Sequence, residues 1–70
     1  MKTIYFAEYE SRKFVFRAVG KTRSAAYQAL LDGLHQHGKQ FELLDYWFYP
    51  DDINVQPLTF GAAYRDYDEI

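Results

Sequence analysis

Hydrophobic and polar positions follow a helical period in one stretch of the chain, residues 22–37. Small or apolar side chains recur there every three or four residues, which places them on one face of an α-helix. These positions are Ala26, Ala29, Leu30, Gly33, Leu34 and His37. The hydroxyl of Thr22 is placed to cap the first turn, and Gly38 stands where helices commonly end in a left-handed residue. The pattern therefore predicts an amphipathic helix from Thr22 to His37.

Two segments before this helix are rich in apolar and aromatic side chains, and alternate residues of each would lie on opposite sides of a strand. They are residues 3–9 and 14–19, and the polar residues 10–13 separate them. A separation of this length predicts an antiparallel β-hairpin. One face of the hairpin is expected to pack under the helix. The side chains expected on that face are Ile4, Phe6, Phe14 and Phe16.

The pattern after the helix is less regular. Residues 41–49 are rich in aromatic side chains and favour a strand, and a helical turn remains the alternative. Residues 50–52, Pro-Asp-Asp, are typical of a turn. Residues 53–58 alternate as a strand, and Pro57 places that strand at a sheet edge because proline has no N–H to donate. The C-terminal segment, residues 62–70, is acidic overall and is expected to add a short strand or to lie across the domain.

The order of elements predicts an α+β fold, ββαββ, or ββαβ if residues 41–49 are not a strand. One helix would pack on one face of a small antiparallel sheet. Seventy residues make a single domain, residues 1–70, and seven Tyr, six Phe and one Trp supply enough bulk for its core. Gly33 lies on the apolar face of the helix, where we expect it to permit close approach to the sheet.

The composition argues against several functional classes. The chain has no Cys, so it forms neither a disulfide nor a thiolate metal site. No signal peptide and no apolar run of about 20 residues is present, so a cytoplasmic protein outside the membrane is expected. His35 and His37 point in different directions on a helix, and neither Ser11 nor Ser24 has the context of a nucleophile. We expect no catalysis, no metal and no cofactor.

Charge divides unevenly along the chain and suggests a first binding surface. Residues 1–40 carry seven Lys or Arg against three Asp or Glu, whereas residues 41–70 carry one against seven. An acidic surface in the second half would attract a basic protein partner and speed encounter with it. Tyr46 and Tyr49, with Trp47 if it is exposed, would add apolar anchors. The candidate partner-binding residues are Asp45, Tyr46, Tyr49, Asp51, Asp52, Asp66, Asp68 and Glu69.

The outer face of the hairpin is a second candidate. If Ile4 and Phe6 pack under the helix, the side chains left outside are Tyr5, Tyr9, Val15 and Arg17. Such residues supply contact area at low entropic cost, and the rings are also able to stack on nucleic-acid bases. A homodimer that covers the two tyrosines explains the same pattern.

One stretch resembles a known family. A hairpin leads through Gly20, Lys21 and Thr22 into a helix that begins Arg-Ser-Ala-Ala, which resembles the N-terminal half of HicB-type antitoxins. The resemblance covers about the first half of the chain and implies that family's hairpin-and-helix architecture. An antitoxin or nucleic-acid-binding regulator is therefore an alternative function.

In type, a small acidic protein without cysteine and rich in aromatic residues resembles inhibitors encoded by phages and mobile elements, anti-CRISPR proteins among them. This resemblance implies a non-enzymatic protein that inhibits by steric and electrostatic occlusion. Its expected partner is a protein, with a nucleic-acid-binding host protein or complex as one candidate. A homodimeric structural module is the remaining alternative.

Overall fold

A computed structural model describes residues 3–44, 47–66 and 68–70 of the chain. The elements are strands β1 (Thr3–Glu10) and β2 (Val15–Gly20), helix α1 (Arg23–Gln40), a 3-10 helix (Pro50–Asp52), and strands β3 (Asn54–Thr59), β4 (Tyr64–Arg65) and β5 (Asp68–Glu69).

Helix α1 packs on one face of a three-stranded antiparallel sheet in the order β2-β1-β3. Strands β4 and β5 form a separate two-stranded ladder near the C-terminus. The predicted α+β class, with one helix on one face of a small antiparallel sheet, is confirmed. Pro57 lies in β3, which is an edge strand as its missing N–H predicted.

The hairpin forms, but the predicted inner face of β1 is wrong. Opposite partners in the register are Ala7 and Ala18, and Tyr9 and Phe16, so these four side chains share a face. That face meets the helix, because Ala7 is 0% exposed and Tyr9 only 8% exposed. Ile4 and Phe6 therefore lie on the opposite, open face of the sheet. The two alanines explain the choice, since small side chains let the helix backbone come close to the strands.

Helix α1 begins as predicted and ends later than predicted. The Thr22 hydroxyl accepts a hydrogen bond from the Ala25 N–H at 3.0 Å, which satisfies a first-turn donor. Gly38 does not end the helix, which continues to Gln40. It is buried beneath Trp47, and a Cβ atom built on Gly38 would lie 2.7 Å from the indole Nε1. Contact with a distant side chain, not backbone conformation, thus accounts for this glycine.

The prediction for Gly33 is also wrong. Gly33 is exposed, and a Cβ atom built there would meet nothing within 4 Å. Close approach between helix and sheet occurs instead at Gly20, where a Cβ atom would lie 2.5 Å from the backbone nitrogen of Ala26. Ala29, predicted on the buried face, is exposed too, so the buried stripe is narrower than its apolar pattern suggested.

Residues 41–44 and 47–49 form turns and irregular backbone, so neither a strand nor a helix occurs in these parts of the 41–49 segment. The segment contributes to the core through Phe48, which is buried against Tyr9 with ring centroids 5.9 Å apart. Core packing therefore explains Phe48, whereas Phe41 and Tyr49 of the same segment are exposed.

Candidate protein-binding surfaces

An aromatic cluster surrounds His37 near the C-terminal end of α1. The imidazole centroid lies 4.7 Å from that of Phe41, 5.0 Å from Phe16, 5.3 Å from Trp47 and 5.7 Å from Phe14. Phe16 comes from β2 and His37 from α1, so the cluster joins sheet and helix. Phe14 precedes β2 in the hairpin loop and Phe41 caps the helix, which leaves these two rings at the rim of the cluster.

The rim of this cluster forms an apolar groove of about 430 Å³. Its apolar lining is solvent-accessible, with Phe14 53% and Phe41 57% exposed. The residues that line it are Ser11, Arg12, Lys13, Phe14, His37, Phe41, Leu43 and Trp47. We call this surface the aromatic groove. Large apolar side chains gathered on one exposed surface are typical of interaction sites.

Positive charge borders the aromatic groove. Arg12 and Lys13 are exposed, and neither makes an ion pair with a described residue, whereas Arg17 donates from Nε to the Glu8 carboxylate at 2.9 Å. The two charges are therefore available to a partner. The groove was missed by sequence reasoning because Phe14 was assigned to the sheet's inner face. The signal in the sequence was a basic pair directly before an aromatic residue at a hairpin tip.

The predicted acidic residues fall into two groups. Asp51 and Asp52 form the 3-10 helix after the exposed Tyr49. The others lie in or beside the β4–β5 ladder and are Asp66, Asp68 and Glu69. Asp45 and Tyr46 lie outside the described residues. Each of the five carboxylates is exposed, and none forms an ion pair or hydrogen bond with the described part of the chain.

The geometry links the two acidic groups through β1. Asp66 borders a hollow of about 370 Å³ on the open face of the sheet, together with Glu8 and Glu10. Glu8 pairs in register with Asn54, the first residue of β3, which follows Asp52 closely in the chain. Asp66 and Asp52, one residue from each group, are thus placed around the same end of β1.

The predicted second face is only half correct. Val15 and Arg17 lie on the open face, but Tyr5 and Tyr9 lie on the helix side. Tyr9 is in the core, and the Arg23 guanidinium lies 5.2 Å above the centre of the Tyr5 ring. The reason is the strand register described above, which turns odd-numbered residues of β1 toward α1. These tyrosines are not available to stack on nucleic-acid bases or to line a homodimer through the open face.

Part of the open face is covered by the chain's own C-terminal region. The Tyr64 hydroxyl accepts a hydrogen bond from the Thr59 N–H at 2.9 Å, and Tyr64 shares a hollow with Ile4 and Leu58. The uncovered remainder includes Val15, Arg17 and Val19 along β2.

Within the described ranges, no group of three or more His, Cys, Asp or Glu is arranged to hold a metal ion. Helix α1 is not long and apolar enough to cross a bilayer, and no other described helix is.

Comparison of the chain with protein-family models, with curated proteins and with solved structures finds no match.

Proposed function

We propose that this chain is a non-enzymatic protein-binding module that inhibits its partner by covering a functional surface. The observation that carries the proposal is the aromatic groove, where exposed Phe14, Phe41 and Leu43 surround the half-buried Trp47. Anchoring aromatic and apolar side chains in such a groove is how most protein interfaces obtain their affinity. The inhibitory role, and an origin in a phage or mobile element, rest on the type of protein alone.

The chemistry of the groove defines the segment that it would hold. An apolar side chain of the partner would be buried against Phe41 and Leu43, at roughly 25 cal/mol for each Å² of apolar surface removed from water. Acidic residues beside that anchor would meet Arg12 and Lys13 at the rim. We therefore propose an acidic segment with an apolar anchor as the occupant. A nucleic acid fits less well, because two cations and an overall charge of −2 favour phosphate binding weakly.

Selection from a random peptide library tests this proposal. Peptides enriched by the wild-type chain are expected to combine Asp or Glu with an aromatic or aliphatic anchor. Trp47 is the one tryptophan and lines the groove, so its fluorescence should report peptide binding directly. The change Phe41→Ser should weaken binding about tenfold or more, as expected for loss of an interface anchor.

Phe60→Ser is the matched control, because Phe60 is 58% exposed and lies outside the groove. It should leave peptide affinity unchanged. Equal losses for both variants, or enrichment of basic peptides, would show that the groove does not bind in this way. Retention of RNA or DNA on a gel at low salt, abolished by Phe41→Ser, would instead favour the nucleic-acid-binding alternative.

The acidic residues supply a separate contact to a basic surface, such as that of a nucleic-acid-binding host protein or complex. Reversing the charges of Asp51, Asp52, Asp66 and Asp68 to Lys should weaken capture of the partner from a host-cell extract. Thermal stability should change little, since these side chains are exposed and make no ion pair with the described residues. Quantitative mass spectrometry of the captured proteins measures the effect. Unchanged capture would remove the acidic residues from the interface.

A further inference from the structure

The two edges of the sheet differ in their protection. On β3, Pro57 removes one backbone donor, and the Arg23 guanidinium donates from Nη1 to the Val55 carbonyl oxygen at 2.9 Å. Proline and a bound charged side chain are common means of blocking an edge strand from pairing with another chain. The β3 edge is therefore closed to strand addition.

The β2 edge has no such protection. Strand β2 pairs only with β1 among the described strands, so its outer N–H and C=O groups face away from the sheet. Its sequence, Val-Phe-Arg-Ala-Val-Gly, contains no Pro, its one charged side chain, Arg17, is paired with Glu8 of β1, and Val19 is 59% exposed. An unprotected strand of six residues rich in β-favouring side chains is a template for another strand.

Helix α1 carries small exposed residues on the flank above that edge. Arg23 and Tyr27 point toward β3, where they line a hollow with Val55. At 100° per residue, the opposite flank of the helix carries Ala25, Ala29 and Gly33, followed toward its C-terminal end by Gln36 and Gln40, and all of these residues are exposed. The close approach of Ala25 to Gly20, the last residue of β2, places this flank on the β2 side.

The unprotected β2 edge and the small residues on the flank of α1 would both be used if β2 paired with β2 of a second copy. Paired strands lie about 4.8 Å apart. Because α1 packs over β2 and β1, the two helices of such a pair would come into contact on the same face of the joined sheet. Helices pack at about 8–10 Å depending on the side chains between them, and small residues allow the shorter separations. The small residues Ala25, Ala29 and Gly33 meet this requirement along the first and middle turns of the flank.

We propose that the β2 edge binds a second copy of this chain, forming a two-fold dimer with a continuous six-stranded sheet. Opposite residues in an antiparallel pair share a face, so the two-fold axis passes next to one residue of β2. Only the two central residues, Arg17 and Ala18, keep most of the strand paired in this way. The Arg17 register sets two like charges directly opposite each other, which destabilises a sheet. The Ala18 register instead sets Arg17 opposite the second copy's Val19 and Phe16 opposite its Gly20. The dimer therefore uses the Ala18 register.

Sedimentation equilibrium of the full chain from micromolar to millimolar concentration tests the dimer. The wild type should shift with concentration from the monomer mass to twice that mass. Val19→Lys sets a second positive charge opposite Arg17 and should raise the dissociation constant at least tenfold. Val19→Glu is its matched control, because it sets a negative charge opposite Arg17. This variant should dimerise at least as tightly as the wild type.

Gly33→Gln tests the helix contact independently. The side chain enters open space in the monomer, so thermal stability of the dilute protein should not fall. In the dimer it would separate the helices, and the dissociation constant should again rise at least tenfold. A wild type that stays monomeric throughout would overturn the proposal. So would a dimer that Val19→Lys and Gly33→Gln leave unchanged, since it would form through another surface.

Discussion

Replacing Leu34 with alanine is expected to lower the free energy of unfolding by about 2–5 kcal/mol. Leu34 is 0% exposed and is the largest fully buried side chain among the described residues. It lies in the core with Leu30 of the same helix and with Ala7 and Tyr9 of β1. Truncation would remove apolar contacts and leave a cavity, because the surrounding rings and backbone would close it only in part. A domain of this size tolerates such a loss poorly.

Urea unfolding followed by circular dichroism measures the Leu34→Ala effect. Leu44→Ala provides the control, since Leu44 is 63% exposed and should change stability by no more than about 0.5 kcal/mol. A similar small effect at both positions would mean that α1 does not bury Leu34 against the sheet.

Adding one methyl group at Gly20 should also destabilise the protein, by about 1–3 kcal/mol. The Cβ atom of Gly20→Ala would lie 2.5 Å from the Ala26 nitrogen and 2.8 Å from the Ala25 carbonyl carbon. Both are backbone atoms of the first helical turn, so no side chain is able to rotate away. The start of α1 must move off β2, which would also strain the Thr22 cap.

Gly33→Ala is the matched comparison, because the same chemical change should here stabilise by about 1 kcal/mol. A Cβ atom at Gly33 meets nothing within 4 Å, and alanine is a far better helix former than glycine. Thermal unfolding of both variants at a concentration where the chain is monomeric gives the comparison. Stabilisation by both changes would show that Gly20 does not contact the helix.

The local structure was predictable where neighbouring residues determine it. The Thr22 cap and the alternation on either side of the loop at residues 10–13 are encoded within a few positions, and both form. The inner face of β1 was not predictable in the same way, because alternation gives two faces of comparable apolar character. The face that packs against the helix is the one with Ala7, because its small side chain lets the helix come closer than Phe6 would.

The surfaces were harder to predict because they depend on contacts distant in sequence. Gly38 looked like a helix end, and only the position of Trp47 above it shows why glycine is required there. The aromatic groove likewise needs the hairpin tip and the segment after α1 to meet around His37. The exposure of the five acidic residues Asp51, Asp52, Asp66, Asp68 and Glu69, in contrast, agrees with what charge alone suggested, and none of them makes an ion pair in the described chain.

The position of β1 constrains how this protein is made. Strand β1 is at the centre of the sheet and comes early in the chain, yet Thr3 pairs with Thr59 of β3. During translation the hairpin and α1 emerge first, but one side of β1 stays unpaired until β3 has left the ribosome. Contacts so distant in sequence slow folding and leave an apolar strand exposed meanwhile. Nascent chains that stall before residue 59 should therefore be the ones that proteases and chaperones capture.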